Sequence, residues 1–233
     1  MQPIQIQPIG IIHSCFKEKF ATPRQPGLVP AAYAQVELVT PYNVADAVEG
    51  LAEFSHIWLS FAFHKTAQQG WKPKVRPPRL GGNAKLGVFA TRSTFRPNPL
   101  GLSLVKLESI DTSKGVILHV SGADLIDGTP IIDIKPYLPW VESIPNARSG
   151  FAGDDQILLL PIEYSDQAQQ ALAQKPELTQ LIEQVLAHDP RPAYQQDPER
   201  IYGCNIADVN LRWRVGGESI EVVEISPFVT PLD

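Results

Sequence analysis

Two cysteines in 233 residues, Cys15 and Cys204, are too few and too widely spaced for a disulfide framework, and neither sits in a C-x-x-C or Cys/His pattern. Two reduced thiols in a cytoplasmic protein are expected. Long apolar runs are also missing: no segment approaches the ~18 apolar residues of a membrane span. The opening MQPIQIQPIGIIHSCFKEKF lacks a basic start followed by an apolar core. A soluble chain with no membrane partner is expected. Phosphate-binding loops are absent as well. There is no G-x-G-x-x-G between strand and helix, and LGGNAKLG (80–87) does not have the G-x-x-x-x-G-K-[ST] spacing. GLSLV (101–105) lacks the second glycine of a nucleophile elbow. His13, His56, His64, His119 and His188 are scattered singly, so no metal site is expected.

One further absence is local. From Phe54 to Leu107 there is no Asp or Glu, while Lys65, Lys72, Lys74, Arg76, Arg79, Lys85, Arg92, Arg96 and Lys106 give +9. A net charge of −5 then leaves −14 for the rest of the chain. A 54-residue acid-free window in a chain with 25 acidic residues suits attraction of a polyanion. The competing explanation is a solvated basic face neutralised by acidic segments elsewhere in the fold.

Period-2 or short apolar runs fill the first two-thirds of the chain: 4–12, 35–40, 56–63, 85–91, 100–110, 116–122 and 131–138, each bounded by Pro, Gly, Asn or Asp. Only NVADAVEGL (43–51) reads as a helix there. Closely spaced strands without long intervening helices predict a mainly β protein, its N-terminal domain an antiparallel barrel or sandwich. Composition changes near residue 145, and the domains are placed at 1–147 and 148–233. The second is expected to be a small α+β unit. It has strands at 156–164, 209–215 and 219–226, and a helical stretch from Ser165 to His188 divided by Pro176, with apolar residues at helical spacing after it.

Two stretches carry chemistry in their residue types. RPPRLGGN (76–83) and TRSTFRPNPLG (91–101) combine arginines with prolines that fix φ and remove donors. Arg76, Arg79, Arg92 and Arg96 on such mounts could face an anion with little ordering cost, and Arg suits bidentate recognition of phosphate or carboxylate. The Asn98 amide, held between two prolines, could read a heterocycle edge. Plain turns carrying snorkelling arginines would give the same composition. In DLIDGTPIIDIKPYLP (124–139), Asp127 and Gly128 signal a turn, and alternation puts Asp133, Lys135 and Tyr137 on one strand face. A carboxylate, an ammonium and a phenol in a row suit acid/base work; a solvent-facing polar face gives the same pattern.

GVFATRSTFRPNPLGLSLV, RPPRLGGNAKLG and DGTPIIDIKPYLP together resemble the signature segments of the TsaA-like family, the TrmO (YaeB) proteins. The likeness extends to KEKFATPRQPGL, PYNVADAVEGLAEFSHIW, LAHDPRPAY and VNLRWRV, nearly the whole chain. The resemblance implies a homodimeric methyltransferase with a β-barrel donor domain outside the usual methyltransferase fold. It implies S-adenosylmethionine as donor, and as target the N6 nitrogen of threonylcarbamoyladenosine at position 37 in the anticodon loop of threonine tRNA. Carried over by matching strings, the donor contacts are Pro26, Gly27, Leu28, His64, Lys65, Arg92, Leu102, Ser121, Gly122, Ala123 and Asp124.

The target nitrogen is urea-like and a poor nucleophile until its proton leaves, so positioning and a base are both required. Asp127 or Tyr137 is expected to take the proton while Lys135 lowers the phenol's pKa or stabilises the carbonyl oxygen. Arg92 and Arg96 are expected to hold carboxylates of the donor or the threonyl group, and Arg76, Arg79 and Asn98 to join Arg96 on the substrate side. A non-catalytic RNA-binding module would account for the charge window alone, and a small-molecule hydrolase lacks an activated nucleophile. Neutralising Lys72, Lys74 or Arg76 is expected to weaken tRNA binding and reduce the slope of log K against log salt by about one per lost phosphate contact, read by filter binding across a salt series.

Overall fold

The computed structural model describes residues 2–80, 84–153, 159–191, 195 and 197–228, with Arg79 described in its backbone alone. In chain order the first part forms β1 (Gly10–Ser14), β2 (Ala34–Leu38), β3 (His56–Ala62), β4 (Lys74–Val75), β5 (Leu86–Gly87), β6 (Leu100–Asp111), β7 (Ile117–Ser121), β8 (Thr129–Pro136) and the one-turn helix α1 (Pro139–Glu142). Six of these strands close into a barrel in the order β1-β2-β7-β6-β3-β8, every neighbour antiparallel. Closure removes the free sheet edges that an open meander of this length would present.

Alternation explains which residues line the inside. β1, β2 and β3 each bury every second residue, and Ile12, Val36, Ile57, Leu59, Leu118, Val120 and Ile131 are fully buried in one barrel core. The 12-residue β6 divides its length between its two partners. Its first half pairs with β3 and its second with β7, the register shifting between Leu107 and Ser109.

The remaining elements are β9 (Ile162–Tyr164), α2 (Asp166–Leu172), α3 (Pro176–Ala187), β10 (Tyr202–Ile206), β11 (Val209–Gly216) and β12 (Ser219–Pro227). The four strands form a second sheet, β10-β11-β12-β9, with β9 parallel to β12. Against it lies the apolar side of α3, where Leu178, Leu181, Ile182, Val185 and Leu186 are buried around a core that contains Trp213. The mainly β architecture, an antiparallel barrel followed by a small α+β unit, agrees with the expectation from the sequence.

Several elements differ from that expectation. Residues 85–91 are not one strand: β5 is followed by a 3-10 turn over Val88–Ala90, which Thr91 Oγ1 holds by donating to the Val88 carbonyl at 2.9 Å. The helix expected at 43–51 is two 3-10 turns, Ala45–Val48 and Leu51–Glu53, separated by Gly50 at φ 78°. β1 begins at Gly10 and not at Ile4. Of the run expected at 156–164, residues 156–158 lie outside the described residues and β9 covers only Ile162–Tyr164.

The long connection from β1 to β2 packs into the C-terminal core. Its Phe16, Ala21, Val29, Ala31 and Ala32 are buried with the residues of the C-terminal sheet and α3. Phe16 bridges to Ile206, Ala207 N donates to the Cys15 carbonyl at 2.7 Å, and Phe20 stacks on Trp213 with centroids 5.6 Å apart.

Gly101, opposite Phe61 in the β3–β6 ladder, shows how tightly the barrel is packed. A Cβ there would lie 2.3 Å from Phe61 Cζ, and that ring is buried, with Phe63 edge-on to it. Gly101→Ala is expected to destabilise the fold by roughly 1–3 kcal/mol through overpacking, measured as a lowered urea midpoint at unchanged m.

Candidate functional site

Segments far apart in sequence meet at one end of the barrel. The last residues of β1, β3 and β7 and the first of β2, β6 and β8 lie at this end, as the pairs Ser14–Ala34, Ala62–Leu100 and Ile12–Thr129 require. Three connections therefore emerge side by side: 15–33, 63–99 and 122–128. Gly27 N donates to the Gly122 carbonyl at 2.9 Å, joining the first to the third. Both glycines have positive φ, 77° and 72°, which only glycine adopts without strain. A Cβ on Gly122 would stand 3.4 Å from Gly27 Cα, whereas one on Gly27 would meet nothing within 4 Å. The tip of the first loop therefore faces open space.

Arg92 joins the second connection to the first. Its Nη1 donates to Gln25 Oε1 at 2.6 Å, and its charge acts on Asp124. Asp124 is half-buried and accepts a hydrogen bond from the buried Ser103 hydroxyl at 2.5 Å. Burial pushes its carboxyl up to about 6, against the opposing pull of Ser103, its own backbone N–H and the Arg92 guanidinium. His64, just beyond β3, has its pKa lowered by burial and by Lys65, which favours the neutral ring. Gln25 and Ser103 are residues the sequence reading missed; a glutamine in a loop and an inward serine on a strand carry no local signal.

Leu102 and the Lys135 face are on the outside of the barrel. Ser60 pairs with Leu102 on one side and Asp133 on the other, and Trp58 pairs in the same way with Leu104 and Lys135. Directly paired residues share a face, with strands about 4.8 Å apart, so Asp133 lies roughly 10 Å from Leu102. Lys135 Nζ donates to Asp133 Oδ2. The Tyr137 ring meets His56 and Trp58 edge-on at 6.4 and 6.1 Å, and α1 covers the row through Trp58 Nε1 donating to Glu142 Oε1 at 2.9 Å.

Asp127 is not part of that face. It lies before Thr129 at the loop end of β8, six strand residues and roughly 20 Å from Lys135. Its carboxylate accepts from Ser14 N at 2.9 Å and Lys17 Nζ at 3.0 Å. Burial raises its pKa, but Ser14, Lys17 and His13 outweigh it and hold the carboxyl below its usual value, which weakens it as a base.

The proline-stiffened arginines divide. Arg92 and Arg76 are exposed. The Arg96 guanidinium is engaged in its own turn, donating through Nη1 to the Thr91 carbonyl at 2.6 Å and the Val88 carbonyl at 3.3 Å. It also lies 5.7 Å from the centre of the exposed Phe89 ring. Asn98 is exposed, and its carbonyl accepts from Leu100 N at 2.7 Å. The Arg79 side chain lies outside the described residues.

Comparison with known proteins gives a consistent set. A family model described as the tRNA-methyltransferase O N-terminal domain matches residues 11–143, and one described as the TrmO C-terminal domain matches residues 158–228. The tRNA (adenine(37)-N6)-methyltransferase of Escherichia coli K12 is 49% identical over 234 residues, covering 97% of this chain and 100% of that protein. A Pseudomonas aeruginosa protein named as a candidate S-adenosylmethionine-dependent methyltransferase, RcsF, is 48% identical over 214 residues, 89% of this chain and 91% of its own length. The crystal structure of TrmO from Pseudomonas aeruginosa superposes with a TM-score of 0.82 at 39% identity, covering 98% of this chain and 99% of that one.

Asp124 supplies a pH test. Its folded pKa lies above the usual carboxylate value, so the folded state binds this proton more tightly than the unfolded chain and loses stability as pH rises from about 4 through about 6. Asp124→Asn removes that loss. The variant's unfolding free energy minus that of the wild type is expected to grow between pH 4 and pH 7 by on the order of 1–3 kcal/mol, measured by urea unfolding; a flat difference would contradict the assignment.

Proposed function

Because the chain belongs to the tRNA-methyltransferase O family, we propose that it transfers a methyl group from S-adenosylmethionine to N6 of threonylcarbamoyladenosine at position 37 in the anticodon loop of threonine tRNA. Adenine-37 N6 methylation of tRNA is the activity named for the Escherichia coli relative. The observation that carries the reading is the meeting of the 25–28, 92 and 121–124 segments at one end of the barrel, tied by Gly27 to Gly122 and by Arg92 to Gln25.

The residues there fit the donor's chemistry. Arg92 is an exposed cation for a carboxylate, Asp124 an anion for an ammonium or ribose hydroxyl, and Leu28 and Leu102 supply apolar wall. Pro26, Gly27, His64, Lys65, Ser121, Gly122 and Ala123 complete the proposed lining. S-adenosylmethionine, when bound, supplies an electrophilic methyl on sulfur. Removal of the N6 proton is assigned to the outer face of β8, with Tyr137 as base and Lys135 beside it. That face lies toward the opposite end of β8, roughly 20 Å along the strand from the loops proposed to hold the donor, so it serves the donor bound by the other protomer of the proposed homodimer. Asp127, with Ser14 and Lys17 on its oxygens, holds the turn before β8.

The acid-free window, with Arg76, Arg79, Arg96 and Asn98, forms the proposed tRNA side, and residues 148–233 extend it. A homodimer accounts for exposed apolar side chains, among them Leu100 and Leu102 on β6 and Trp140, Val141 and Ile144 in and after α1. Such a tRNA-modifying enzyme works in the cytoplasm. The test is nucleoside mass spectrometry of threonine tRNA after incubation with the protein and S-adenosylmethionine. A mass gain of one methyl on the position-37 nucleoside is expected, with Lys135→Ala and Tyr137→Phe lowering the single-turnover rate about 10²–10⁴-fold. No gain would overturn the function, and wild-type rates in both variants would overturn the base.

A further inference from the structure

We infer that the C-terminal unit sets donor affinity from a distance, through two side chains of one helix that hold the loop carrying Pro26–Leu28. The loop makes little regular structure of its own: between Cys15 and Tyr33 the described backbone hydrogen bonds within it are Ala32 N to Val29 O and Tyr33 N to Ala31 O. Its shape comes from its neighbours. On the barrel side Gly27 N donates to Gly122 O at 2.9 Å. On the other side His188 Nε2 donates to the Leu28 carbonyl at 2.9 Å, and Ala31 N donates to Gln184 Oε1 at 2.8 Å.

Gln184 and His188 are four residues apart, at the end of α3 and directly after it, so they project from one helix face. They grip the backbone on both sides of Val29, itself buried in the C-terminal core. Further along, Arg24 Nη2 donates to the Arg191 carbonyl at 3.3 Å, and Arg191 is fixed by a two-point contact with Asp189. The open tip at Gly27 is thus held between the barrel and α3, and a shift of Leu28 or Ala31 moves it directly. Gln184 and His188 are positioning residues: each acts through the loop backbone, at Ala31 N and the Leu28 carbonyl. The inference rests on the reading that Pro26–Leu28 contact S-adenosylmethionine.

The experiment measures S-adenosylmethionine binding to the full chain by calorimetry, with steady-state KM for donor and for tRNA alongside. His188→Ala and Gln184→Leu are each expected to weaken donor binding about 3–10-fold, the effect of one lost hydrogen bond, with KM for tRNA unchanged. His188→Gln places an amide N–H near the position of Nε2, and Gln184→Glu keeps the acceptor; both are expected to bind within about twofold of wild type. Unchanged donor affinity in both His188→Ala and Gln184→Leu would overturn the clamp. So would His188→Gln binding no better than His188→Ala, or an effect confined to tRNA. Gly27→Val, strained at positive φ, separates the two levels. If it binds donor normally, the underlying reading fails; if it loses donor while His188→Ala and Gln184→Leu do not, the clamp alone fails.

Discussion

The backbone hydrogen bond from Gly27 to Gly122 fixes the tip of the β1–β2 connection to the loop before β8, two segments also joined by Asp127 N donating to the Phe16 carbonyl and by Lys17 donating to Asp127. Both glycines have positive φ, and a Cβ on Gly122 would rest in contact with Gly27 Cα at 3.4 Å. Everything proposed for the donor site depends on that contact. A closed barrel has no strand-to-helix glycine turn at which a helix N-terminus faces a ligand. The ligand-binding elements must instead be the connections at one barrel end, and connections are only as precise as what holds them. Here the β1–β2 connection is held by the second core: Phe16 and Phe20 lie in or against the C-terminal unit, and α3 reaches its backbone.

Charge is distributed with the same division of labour. The acid-free window from Phe54 to Leu107 supplies cations of two kinds. Arg76 and Arg92 are exposed, while Arg96 stiffens the 3-10 turn that presents Phe89. Acids return where they orient something: Glu108 accepts from Ser121 and Lys106, Asp127 holds Ser14 and Lys17, and Glu142 caps the outer row at Trp58. Asp124 differs from these, since burial makes its ionised form costly beside an arginine that favours it. A carboxyl so placed gains a partner when a cationic group arrives.

The strands that alternate strictly were legible in the sequence, because one face of each is buried: Val36 and Leu38 in β2, Ile57 and Leu59 in β3, Leu118 and Val120 in β7. β10 carries no sequence signal although its inward residues, Tyr202, Cys204 and Ile206, do alternate, because Gly203 and Asn205 between them are residues that strands disfavour. Residues 85–91 were misread because Val88 is buried under a turn and not in a ladder. Alternation alone left barrel and sandwich open, since either buries one face of each strand; the barrel came from the resemblance. Of the candidate site, the arginine-proline stretches stood out by composition, and the donor segments came from resemblance. Arg96's engagement and the α3 side chains did not stand out, because each acts on a carbonyl or amide that only the tertiary fold brings near.

Hydrogen exchange of the full chain with and without S-adenosylmethionine tests the account most directly. The account predicts donor-dependent protection in peptides covering Arg24–Ala31 and Ser121–Asp127 together, with the inner strands β11 and β12 unchanged. Saturable donor binding that left both loops unprotected, or protected only residues outside the barrel end, would contradict it.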